Sequence, residues 1–282
     1  MGKTAKEVAV LLATGVTTLL TCIVLAFVDL TTGFSLYGFS LWFIVPVGAL
    51  LSGFAAASGC YLAGRWLNYK PTGTLLIGVL ALSAMTFFLI NYLDYYFTTV
   101  DGQQVREFVS FTDYLGIALS NMSLCVHGCV GGGIGLGPLG YVAAGLQVLG
   151  FFVGGASVYG YLSSLTYCTE CARYFSSEKT EKRYFPEVAA AAQAHGEVLD
   201  LLRGGQFHAA LARHAASGEG TRQRHFGAVS ELRLHYCKNC LRRHIRVVLQ
   251  QRAEGKNDWK AVPKTEAEFE TGAQFYPSLV AS

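Results

Sequence analysis

The sequence predicts an all-α membrane bundle of four transmembrane helices joined to a small α+β domain held together by cysteines. Three observations carry that prediction. Four runs free of charge, at 8–28, 36–64, 71–93 and 139–165, each reach or exceed the length of about 20 residues that a bilayer crossing needs. Charge is segregated as well: 17 of the 22 Lys and Arg and 13 of the 19 Asp and Glu lie beyond residue 165. Two Cys-x-x-Cys pairs, Cys168 with Cys171 and Cys237 with Cys240, fall inside that charged part.

Hydrophobic residues make up 52% of the 282 and charged residues 15%, too apolar for one soluble globule. The net charge of +3 is too small to argue for a polyanionic partner. The first run, 8–28, reads as an uncleaved anchor; it is long for a signal peptide and no small-residue cleavage motif leads into a polar chain. In the second, 36–64, Pro46 reads as a kink that neighbouring helices absorb. The third spans 71–93. Lys3 and Lys6 precede the first run, Arg65 and Lys70 follow the second, and most remaining cations follow the fourth. By the bias of cations toward the cytoplasmic side, both termini are expected in the cytoplasm, with a plasma or bacterial inner membrane as the location.

Between the third and fourth runs an outer segment is expected at 100–138. Residues 105–124 mix polar and apolar positions at helical spacing around Asp113 and read as a helix lying on or dipping into the outer face. The glycine-dense stretch after it is read as either a re-entrant or an external loop. It contains Cys125, His127 and Cys129, whose proximity allows a disulfide or a second metal site, against the plainer reading of small residues packed beside glycines. Asn121 with Ser123 fits a glycosylation acceptor. The fourth helix, 139–165, carries glycines at 140, 145, 150, 154, 155 and 160, which permit close packing within the bundle or between copies. Asp29 and Asp94 near the outer helix ends, with Asn91 and Gln147 inside the spans, are the polar groups there; the aspartates are expected within reach of headgroups and water.

The charged part is read as 166–253 with an extended tail at 254–282. Its two pairs stand in YCTECARYF and YCKNCLRRH, each Tyr-Cys-x-x-Cys with Arg close behind. Thiolates two residues apart can turn toward one ion while backbone amides stabilise the sulfurs, and two such pairs complete a closed tetrahedral set for a single structural zinc. Disulfides suit an oxidising compartment instead, and iron is allowed by the ligand chemistry. His235 and His244 flank the second pair and are read as surface or supporting residues. Alternating Leu232, Leu234 and Tyr236, then Ile245 and Val247, read as strands; 172–185 reads as a hairpin about its SSEK. The layout resembles a zinc ribbon over some 40 residues, a pattern shared by proteins of many functions. An insertion at 186–216 reads as a helical hairpin, with Pro186 as the first helical residue and Gly204 and Gly205 at the turn.

Arg242, Arg243, Arg246 and Lys238 cluster near the second pair. With 17 cations against 13 anions in this part, nucleic acid is disfavoured and anionic lipid is the nearer partner. There is no nucleophile elbow, paired-histidine zinc motif or dinucleotide fingerprint. The functional expectation is a non-enzymatic assembly or adaptor subunit of a membrane complex, docking a protein partner or a second copy through the fourth helix. The alternatives are a channel or transporter with a zinc-stabilised regulatory domain, and a membrane redox or metal-handling enzyme.

Overall fold

The computed structural model describes residues 2–33, 35–40, 45–124, 134–221, 226–252 and 258–271. The chain divides into two compact units, Met1–Leu165 and Thr166–Ser282.

Four helices of the first unit are long and apolar enough to cross a membrane: α1 (Lys3–Thr32), α2 (Val47–Trp66), α3 (Gly73–Phe97) and, after the shorter α4, α5 (Leu139–Ser163). Large apolar side chains stand on their outer surfaces, among them Leu12 and Phe27 on α1, Leu62 on α2, Ile77 on α3 and Leu149 on α5. That distribution costs free energy in water and none in hydrocarbon. α2 starts after Pro46 instead of passing through it. Proline pushes the residue before it out of the helical region, so the expected kink is a helix start.

Helix contacts rest on small residues and on hydroxyls. Gly154 of α5 faces α2 so closely that a Cβ there would lie 2.7 Å from the Phe54 nitrogen, and one at Gly53 would lie 2.8 Å from the Phe151 Cα. Thr17 of α1 donates to the Ala56 carbonyl at 2.6 Å and accepts from the Gly59 N–H at 3.1 Å, joining α1 to α2. At the start of α3, Thr72 caps the helix by accepting from the Leu75 N–H. Its hydroxyl donates to Glu7 of α1 at 2.9 Å, and its carbonyl accepts from the Tyr159 hydroxyl of α5 at 3.1 Å.

Between α3 and α5 the expected single helix over 105–124 is replaced by several short elements. β1 (Thr99–Val100) and β2 (Gln103–Gln104) form a hairpin whose turn residues, Asp101 and Gly102, both have positive φ. A 3-10 turn at Val105–Glu107 follows, then α4 (Phe111–Ser120). The break has a local cause: Ser110 accepts from the Asp113 N–H and donates to the Asp113 carboxylate, a helix start written into the middle of the segment. β3 (Ser123–Leu124) pairs with β4 (Ile134–Gly135).

The second unit opens with a two-stranded hairpin, β5 (Tyr167–Cys168) and β6 (Arg173–Tyr174). β7 (Ser176–Phe185), β8 (Ala228–Tyr236), β9 (Arg243–Arg252), β10 (Trp259–Ala261) and β11 (Ala267–Thr271) form an antiparallel sheet in the order β10-β9-β8-β7, with β11 also on β9. Between β7 and β8 stand α6 (Val188–Arg203) and α7 (Phe207–Ala216). Val198, Leu199 and Leu202 of α6 and Leu211 of α7 pack on Leu232, Leu234, Ile245 and Val247, where Leu232 lies opposite Val247 and Leu234 opposite Ile245. Alternation therefore buries one strand face under the hairpin.

Three sequence expectations change here. SSEK lies within β7, at a register shift between Ser177 and Lys179, and the hairpin turn sits upstream at the cysteines. α6 begins after Glu187, two residues beyond Pro186. The expected extended tail, 254–282, supplies β10 and β11 through residue 271, and both cover the outer edge of β9. An unpaired edge leaves backbone donors and acceptors open, which the tail satisfies. Residues 272–282 lie outside the described residues.

Candidate metal centre

The four cysteines named from sequence come together. The Sγ atoms of Cys168, Cys171, Cys237 and Cys240 all lie within 4.8 Å of one another, and Cys168 Sγ is 3.7 Å from Cys240 Sγ. A tetrahedral cation with metal–sulfur bonds of ~2.3 Å separates its sulfurs by ~3.8 Å, the spacing of the Cys168–Cys240 pair. Four cysteines close together could hold such an ion, and among the described residues no other group of three or more metal-ligating side chains converges.

The two pairs are built alike. In the first, Tyr167 lies opposite Tyr174 and Cys168 opposite Arg173. In the second, Tyr236 lies opposite Arg243, and the Cys237 N–H donates to the Arg242 carbonyl at 2.8 Å. In each, the residue before the first cysteine faces the third residue after the second. The residue following the second cysteine is left-handed in both, Ala172 at φ 48° and Leu241 at φ 58°. Glycine is the unstrained choice for that turn. Neither position has one, yet the backbone makes the turn.

Backbone amides aim at the sulfurs. The Cys171 N–H donates to Cys168 Sγ, and the Asn239 and Cys240 N–H groups donate to Cys237 Sγ. Burial opposes ionisation of Cys237, but those donors together with the neighbouring Cys240 and Cys168 thiols outweigh it and bring the thiol down to about 7. Cys171 goes the other way, up to about 12, chiefly because Cys240 lies beside it as a hydrogen-bond partner. Crowded sulfurs cannot all carry negative charge unaided, and a cation among them removes that obstacle. Cys168 and Cys237 are buried, Cys171 and Cys240 half-buried, with Phe175 packed on the group. Arg242 and Glu170 pair at 2.6 Å, joining one knuckle to the other. His235 and His244 stand opposite each other on β8 and β9 and are not in the sulfur cluster.

Cys125, His127 and Cys129 lie outside the described residues. In the first unit, the Tyr37 hydroxyl donates to the Asp94 carboxylate, while Asp94 Oδ1 is buried without a hydrogen-bond partner. Part of that carboxyl is therefore withdrawn from the water expected to reach it. Tyr37 could not be found from sequence because it sits in irregular backbone, where no spacing rule applies. Asn91 bonds its own helix through the Phe87 carbonyl. Of the α5 glycines, 140, 150, 154 and 155 approach neighbouring segments of the same chain, whereas Gly145 and Gly160 meet nothing.

The helical hairpin is fixed by two histidines that sequence reasoning passed over. His195 Nε2–H donates to the Thr265 carbonyl at 2.8 Å, because a carbonyl can only accept, so Nδ1 accepts from the Ser230 hydroxyl at 3.2 Å. His214 Nε2–H donates to the Ser230 carbonyl at 3.3 Å, with Nδ1 3.6 Å from Glu181. Burial holds both imidazoles below their ordinary range, partly opposed by Thr265 at His195 and by Glu181 at His214. Comparison of the chain with protein-family models, curated proteins and solved structures returns no match.

Proposed function

We propose that this protein is a membrane-anchored assembly or adaptor subunit whose cytosolic unit holds one structural zinc on Cys168, Cys171, Cys237 and Cys240 and docks a protein partner. The observation that carries the reading is the closure of the four sulfurs around a single point, at a spacing that suits tetrahedral zinc. Four protein ligands leave no open coordination position for substrate, so the ion's work is to fasten the fold. Zinc is favoured over iron by the reading of the ion as a fastener, since zinc has no redox chemistry of its own. The four long apolar helices support insertion in a bilayer, and the distribution of cations supports cytoplasmic termini in a plasma or bacterial inner membrane. Purification in mild detergent is expected to yield one zinc per chain and a co-purifying partner. A partnerless monomer with measurable turnover would overturn the proposal.

A second reading, a channel or transporter, is favoured by one observation: Asp94 buries a carboxylate oxygen without a partner beside Tyr37. Ionisable groups inside a membrane are costly and tend to be functional. Ion flux through proteoliposomes tests it: Asp94→Asn must reduce flux, and unchanged flux removes this reading.

A further inference from the structure

We propose that the two knuckle tips form a contact surface for anionic lipid headgroups, with Leu241 as an apolar wedge and Arg173 and Lys238 as its cations. Leu241 is the first reason. It holds a left-handed backbone at φ 58°, which glycine adopts freely and leucine resists. Its side chain is nevertheless 40% exposed. With Val188 it is one of two large apolar side chains of the second unit left exposed among the described residues. The knuckle turn needs that backbone, as it does at Ala172, but it does not need a leucine, and a leucine held in the open there points to a use outside the unit.

Charge supplies the second reason. Arg173 and Lys238 stand exposed on the two knuckles. The acid between the first pair of cysteines, Glu170, is neutralised by Arg242 at 2.6 Å. The knuckles therefore carry two exposed cations and an exposed leucine, a combination that suits the boundary between headgroups and acyl chains. Connectivity is the third reason, because residues 164–167 are all that separate the end of α5 at Ser163 from Cys168. The inference rests on the first unit spanning a bilayer and not on the identity of the metal. It adds a lipid contact at the knuckles to the partner docking proposed above.

The test uses the full chain in nanodiscs of phosphatidylcholine alone or with one-third phosphatidylglycerol, comparing wild type with Leu241→Trp. The difference in Trp emission is expected to be blue-shifted, and quenched by lipids brominated near the headgroup, in the anionic discs. Arg173→Gln with Lys238→Gln is expected to lower the docked population about thirty-fold, from two charges near an anionic surface. Water-like, unquenched emission in both discs would overturn the proposal, as would a shift that appears only on adding another protein. Metal content reports whether each variant is folded. If Leu241→Trp loses metal, wild-type amide exchange over 168–174 and 237–243 replaces it: slower exchange in anionic discs supports docking, and equal exchange refutes it. Failure of the chain to float with the discs at all would sink the membrane reading itself, a separate outcome.

Discussion

Replacing Cys237 with Ser removes one of the four sulfurs, and the cost can be worked from the chain path. An ion on all four sulfurs ties Cys171 to Cys237 across about 65 residues that include α6, α7 and the whole of β7 and β8. On the chain-entropy account of cross-links, closing a loop of that length limits the unfolded chain by about 4 kcal/mol at 25 °C. Metal–sulfur bonding adds to this. Domains are stable by about 5–15 kcal/mol, so about a quarter or more of the stability of the second unit is at stake. Native-state amide exchange of the detergent-solubilised full chain reads it directly. With a chelator, or with Cys237→Ser, β8 and β9 amides are expected to exchange roughly a thousand-fold faster, at about 1.4 kcal/mol per tenfold. Amides of α1, α2, α3 and α5 should be unaffected. Exchange of β8 and β9 within tenfold of wild type after complete metal removal would refute the reasoning, since the sulfurs would then be fastening nothing.

Other expectations follow from particular contacts. Gly154→Ala places a methyl against the α2 backbone, 2.7 Å from the Phe54 nitrogen, and should destabilise the bundle by about 1–3 kcal/mol. Gly145→Ala, on an open face, should be neutral or stabilising by up to about 1 kcal/mol; equal shifts in denaturing-detergent titrations would contradict the assigned faces. Thr17→Val keeps the shape but removes both hydrogen bonds by which the Thr17 hydroxyl ties α1 to the α2 backbone, with an expected loss of about 1–2 kcal/mol in the same titration. His195 and His214 are held below their ordinary range by burial, so the unfolded chain takes up protons first as pH falls. Their stabilisation is complete above about 6.5 and is lost as pH drops through that value toward their folded values. The wild-type unfolding midpoint should thus fall more between pH 7.5 and 5.5 than that of His195→Gln with His214→Gln, both at saturating zinc; parallel profiles would rule this out.

Much of this molecule can be read without coordinates. A run of apolar residues as long as the bilayer is thick needs no partner to be recognised, because length and polarity are properties of the run alone. The Cys-x-x-Cys pairs are legible for the same reason, since two residues fix where both sulfurs of one knuckle turn. The helical hairpin shows through its period and its glycine stop. Even the start of α4 stands in the sequence at Ser110 and Asp113, although the longer apolar period around it masked the signal.

What the sequence could not decide depends on residues far apart in the chain. Tertiary packing alone assigns Gly154 to α2 and leaves Gly145 open, because both lie in one glycine-rich helix and differ only in the face they present. The same holds for β11, whose AEFET has too little apolar pattern to declare itself and becomes a strand because β9 offers an unpaired edge. His195 and His214 gain their meaning only when Ser230 arrives between them on β8. Composition and spacing report what a segment can become; which donor meets which acceptor is settled by chain segments dozens of residues apart closing on one another.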